Sequence, residues 1–139
     1  MTNPPDEVIR DLLATPRTWA IVGCSPLAKR ASWQVAHLLQ SRGNRIVPIN
    51  PAALAILGER CYPTLADARE DVEIDVVDIF RNPADAGTHV DEAIAIGARA
   101  VWLQLGVIDE AAAARARAAG LTVVMDRCPA IEARRLGLA

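Results

Sequence analysis

Only three cysteines occur, Cys24, Cys61 and Cys128. The count is odd and no C-x-x-C pair is present, which argues against a disulfide framework. The two histidines, His37 and His89, do not add the close ligand spacing that a zinc site uses. Positive charge is also short. Fifteen Lys and Arg against seventeen Asp and Glu leave a net charge of −2, so no wide basic field exists to grip nucleic acid. No apolar run approaches the roughly 18 residues of a membrane helix. The opening residues, MTNPPDEVIRDLLATPR, are acidic and lack the basic-then-apolar layout of a signal peptide. These absences set the expectation of a cytoplasmic protein without nucleic-acid or membrane partners.

What is present is apolar material. The apolar fraction is 52% of 139 residues, enough for one core and one domain over residues 1–139. The pattern alternates strands and helices. PPDEVIRDLLAT reads as a short helix with prolines at its start and acids in its first turn. Five short apolar strands follow: TWAIV, NRIVPIN, EIDVVDIF, AVWLQL and TVVMD. Between them lie helical stretches. Ser32 is a candidate cap for SWQVAHLLQSR, and Thr64 with Asp67 resembles a capping box. Pro48 inside the second strand suggests an irregular ladder. IEARRLGLA reads as a short basic tail.

Alternating strands and helices predict an α/β fold: a Rossmann-like, doubly wound parallel sheet of five strands, with an extra N-terminal helix. The expected strand order is 3-2-1-4-5, with the switch point beside strand 1. Ligands of such sheets bind at the carboxyl ends of the strands, in that crevice.

The loop after the first strand, GCSPLAKRAS, fits G-x-S-x-x-A, a partial match to the dinucleotide fingerprint. Gly23 can make the tight turn. Ser25 and Ala28 stand where second and third glycines would be. Lys29 and Arg30 precede a helix N-terminus, and together with its amides they favour phosphate. The second strand ends in Asn50 and Pro51, without the carboxylate that holds the ribose diol of NAD. A ligand with a phosphorylated ribose fits better, and both NADP and coenzyme A qualify.

Catalytic groups are not evident. His37 and His89 fall inside helices, away from the strand ends. Asp75 and Asp78 interrupt the third strand, and read as a partly exposed edge face or as structural hydrogen bonds. Cys24 sits near two cations and a helix N-terminus, a setting that lowers a thiol pKa. The competing expectation is a buried, inert thiol.

Several segments together resemble a known family: IVGCSPLAKRASWQVAHLL, IVPINP, VDIFRNP, AIAIGARAVWLQLGVI and AGLTVVMDRCPAIE. The chain resembles the stand-alone bacterial CoA-binding domain proteins, which are similar to the N-terminal domain of the succinyl-CoA synthetase α subunit. The resemblance implies a CoA-binding Rossmann fold with coenzyme A as cofactor. It places ligand contacts at Gly23, Ser25, Pro26, Lys29 and Arg30, and at Asn50 and Pro51. It adds Phe80 and Arg81 after the third strand, and Gln104, Leu105 and Gly106 after the fourth. The synthetase carries its phosphorylated histidine in a second domain, and this chain ends at Ala139, where that domain would begin. The function expected is non-catalytic binding of coenzyme A or an acyl-CoA, for sensing, storage or delivery. The alternatives are an NADP-linked or CoA-dependent enzyme, and a subunit that completes an acyl-CoA ligase in trans. A protein partner or a homo-oligomer is compatible with each.

Overall fold

The computed structural model describes residues 3–138. A five-stranded parallel sheet forms the middle layer, in the order β2-β1-β5-β6-β7. Its strands are β1 (Thr18–Val22), β2 (Arg45–Ile49), β5 (Val76–Ile79), β6 (Ala100–Leu103) and β7 (Thr122–Val124). The doubly wound α/β class expected from the alternation is the one observed. Two short strands, β3 (Ala55–Ile56) and β4 (Glu59–Arg60), form an antiparallel hairpin inside the loop after β2.

Alternation along each strand builds the two faces. Ala20, Val22, Val77, Ile79, Val101 and Leu103 belong to one core layer. That layer is covered by α3 (Leu65–Asp71), α4 (Pro83–Ala95) and α5 (Glu110–Ala118). Trp19, Ile21, Val76 and Trp102 belong to the other. Helices α1 (Asp6–Ala14), α2 (Ala31–Ser41) and α6 (Pro129–Arg135) cover it. Strands buried on both faces explain why their sequences are apolar throughout rather than alternating. The segment expected to be a basic tail is largely the helix α6. Pro129 opens it at a position where a missing N–H costs nothing.

Among the five parallel strands, counted along the chain, the observed order is 2-1-3-4-5, not 3-2-1-4-5. Pro48 supplies a physical reason. Its carbonyl points away from β1 and accepts from Tyr62 N at 3.0 Å. The N and O of one strand residue share a side, so its missing N–H also lies on that outer edge. A full strand added there would lack one ladder bond. The third strand instead pairs with the other side of β1, from Trp19↔Val76 to Val22↔Ile79. The β1–β2 ladder itself is regular across Ile21↔Pro48.

Candidate functional site

The order 2-1-3-4-5 places the topological switch between β1 and β5. A cleft of about 780 Å³ opens at their carboxyl ends. Gly23 sets its floor, because its φ of +80° turns the chain sharply out of β1. A Cβ there would meet the Phe80 carbonyl oxygen at 2.5 Å. Only glycine lets the β1 and β5 exits come this close.

The first wall is the loop from Cys24 to Arg30. The Ser25 N–H donates to Ser32 Oγ at 2.9 Å, and Leu27 N donates to Ser25 Oγ at 3.1 Å. Ser32 is therefore not the helix cap that its position suggested. The N-cap of α2 is Arg30, which makes no side-chain cap bond, and Ser32 ties the loop to the helix. Arg30, Ala31 and Ser32 all border the cleft. The start of an eleven-residue helix thus faces it with the positive end of its dipole.

The second wall is the exit of β2. The Asn50 side chain is committed to the protein: Nδ2 donates to Cys24 O at 2.8 Å, and Oδ1 accepts from Ala52 N at 2.7 Å. It braces one loop against the other, and no carboxylate stands in its place. The third wall is the β5 exit and α4. Arg81 lines it, in an exposed pair with Asp85 at 3.1 Å, which screening makes weak.

Gly23, Ser25, Pro26 and Arg30 border the cleft, as do Asn50, Pro51, Phe80 and Arg81. Four expected residues do not. Lys29 is exposed beside the N-cap, outside the cleft lining. Gln104, Leu105 and Gly106 lie at the exit of β6, the neighbour of β5. There Leu105 is exposed while the Gln104 side chain is buried.

His89 corrects the sequence reading, which put it away from the strand ends. It lines the cleft, with Nδ1 2.7 Å from Glu92 Oε1. The signal was available: Ala86, Val90 and Ala93 face the sheet, and His89 is three residues after Ala86, on the adjoining helix face. His37 stays outside, stacked on Trp33 with ring centroids 5.0 Å apart.

The acids and thiols also sort themselves. Asp75 makes a structural bond, its Oδ2 accepting from Thr18 N at 2.9 Å. Asp78 is not on an exposed edge. It is fully buried in the central strand, and burial holds its carboxyl well above the usual carboxylate range. Cys24 is fully buried too. Desolvation, with smaller contributions from Cys61 and Asp78, pushes its thiol up to about 12. Of the two sequence expectations, the buried thiol is the one observed.

Comparison with known proteins agrees with this architecture. The uncharacterized protein YneT of Bacillus subtilis is 31% identical over 128 residues, covering 92% of this chain and 93% of that one. A solved hypothetical protein from Pyrococcus horikoshii OT3 is 36% identical with a TM-score of 0.89, covering 98% and 97%. An ADP-forming acetate–CoA ligase of Methanocaldococcus jannaschii is 28% identical over 65 residues, which is 47% of this chain but only 9% of the ligase. The family model for the CoA binding domain matches residues 17–134. With its sheet, its cleft and that match spanning most of its length, the chain belongs to the CoA binding domain family.

Proposed function

We propose that the chain binds coenzyme A or an acyl-CoA in the cleft at the β1–β5 switch, and that it does so without catalysis. The observation that carries this is the pairing of a phosphate-suited wall with a β2 exit that lacks an acid. Arg30 and the first turn of α2 meet the pyrophosphate, together with the Gly23–Pro26 backbone. Asn50, already bonded at both ends of its amide, offers no acceptor for a ribose diol in the way a carboxylate would. Phe80 and Pro51 supply apolar surface for the base. Gln104, Leu105 and Gly106 lie further along the strand ends, where a ligand with a long arm reaches them.

The cleft offers no nucleophile–base pair. Its thiol is buried and protonated, and among the described residues no hydroxyl or thiol bonds its imidazole, whose Nδ1 meets Glu92. Binding for storage, sensing or delivery in the cytoplasm suits such a site. A second reading, a subunit completing an acyl-CoA ligase in trans, draws on the partial match to the ADP-forming acetate–CoA ligase.

Titration calorimetry with CoA, acetyl-CoA, NAD and NADP tests the ligand class. CoA and acetyl-CoA should give saturable heat and NAD none. Equal affinity for NAD and CoA would overturn the proposal.

A further inference from the structure

Among the described strand residues of the layer beneath the cleft, Asp78 carries the one acidic side chain. Asp78 lies opposite Ile21 on β1 and Trp102 on β6. Its side chain therefore enters the layer of Trp19, Ile21 and Trp102. Gln104, two residues after Trp102, comes down on the same face. Gln104 Nε2 lies 3.0 Å from Asp78 Oδ1 and 3.3 Å from Oδ2 in the amide orientation that satisfies both its ends. The exposures are 0% for Asp78, 6% for Gln104 and 0% for Cys24, which completes the group. Two polar side chains in such a layer cost stability unless each holds the other.

The groups facing Asp78 come from three elements. Cys24 comes from the β1 exit and Gln104 from the β6 exit, while the Ile79 N–H lies on β5 itself. Among the described residues no Lys, Arg or His pairs with it. Without a counter-charge the neutral acid is the favoured form. A neutral carboxyl and an amide have two matched arrangements. The acid O–H donates to Gln104 Oε1, or the amide N–H donates to the carboxyl oxygens. An ionised carboxyl permits only the second.

Gln104 also begins the β6 exit turn. Its carbonyl accepts from Val107 N at 2.9 Å, and Gly106 N donates to Asp126 Oδ1 at 2.8 Å. The turn is thus pinned from the side by Asp126 and from beneath by Asp78.

We propose that Asp78 is a positioning residue: as a neutral carboxyl bonded to Gln104 it holds the Gln104–Leu105–Gly106 turn in register for the ligand. The link to the ligand rests on the proposed binding of CoA. The state of Asp78 does not, and the two are tested separately.

Infrared difference spectra of the ligand-free protein, wild type minus Asp78→Asn, read the carboxyl directly. A protonated-acid carbonyl band is expected at neutral pH, and Gln104→Ala should shift it. A carboxylate signature, or a band indifferent to Gln104→Ala, overturns the pairing. CoA calorimetry at neutral pH then reads the coupling in two variants: Asp78→Asn, which keeps a hydrogen-bond partner for Gln104, and Asp78→Leu, which removes it. Asp78→Leu should lose about threefold or more in affinity relative to Asp78→Asn. Equal affinity of the two variants, both folded by circular dichroism, overturns the positioning role. Absence of CoA binding in wild type and both variants overturns the ligand link together with the binding proposal, while the infrared result still decides the pair.

Discussion

Replacing Gly23 by alanine tests whether the cleft floor depends on backbone approach rather than on conformation alone. Two costs are separable. The first is the left-handed backbone, φ +80°, which costs an L-residue roughly 1–2 kcal/mol. The second is contact. The new Cβ would sit 2.5 Å from Phe80 O and 3.3 Å from Arg81 Cδ, and real Cβ atoms essentially never come under 3.0 Å. The β1 and β5 exits would have to part by about half an ångström. The bond they share, Phe80 N to Val22 O at 2.9 Å, would stretch and lose on the order of 1 kcal/mol. Gly97→Ala is the control. Gly97 has φ +77° and nothing within 4 Å of its virtual Cβ, so it carries the first cost only. Urea unfolding at a common m-value should therefore give about 1–2 kcal/mol for Gly97→Ala and about 2–4 kcal/mol for Gly23→Ala. If the two variants agree to within about 0.5 kcal/mol, the close approach has no energetic weight and the reasoning fails.

Two further predictions concern the cleft wall. Arg30→Ala should weaken CoA binding by roughly 1–3 kcal/mol, the range for a charge-assisted bond, while Lys29→Ala, exposed and outside the lining, should cost less than about 1 kcal/mol; calorimetry showing the reverse order would move the phosphate to Lys29. For the thiols, mass spectrometry after alkylation of the native protein should find Cys128 modified first, because Cys24 and Cys61 are buried. The burial-raised Cys24 thiol stays protonated as pH climbs toward about 12, so mild alkali should not expose it to the reagent, whereas unfolding should. Native labelling at Cys24 ahead of Cys128 would contradict its burial.

The strands were legible because burial on both faces leaves short apolar runs between turn residues. TWAIV coincides with β1 to the residue. Thr64 was legible as a cap because its partner lies three residues away, and its Oγ1 accepts from Asp67 N. Longer-range facts were not legible. Ser32 looks like a cap in sequence, yet its hydroxyl serves Ser25, seven residues back. Asp78 looks like an edge residue, because a carboxylate in a strand is usually near water. Only the strand order shows that β5 is flanked on both sides. The hairpin of β3 and β4 was hidden in a loop that carries only two residues per strand, too few for a period to show.

Strand order also explains how the expected site residues divide. In the order 3-2-1-4-5 the crevice would open between the exits of strands 1 and 4, and Gln104, Leu105 and Gly106 would wall it. Phe80 and Arg81 would then lie two strands from the phosphate loop, on the far side of strand 2. The observed order exchanges these places. Phe80 now abuts Gly23, and the β6 exit stands one strand further out, about 4.8 Å in sheet spacing. The resemblance had placed both segments at the ligand, which no single crevice in the expected order could accommodate. In the observed sheet both lie on one side of β1, in the sequence β1, β5, β6. A short nucleotide anchored at Arg30 would occupy the cleft and stop at β5. A ligand that also meets the Gln104 turn must run across the strand ends from β1 to β6. The same direction carries it above Asp78, so the residue that sequence alone would place at an edge lies beneath the middle of that path.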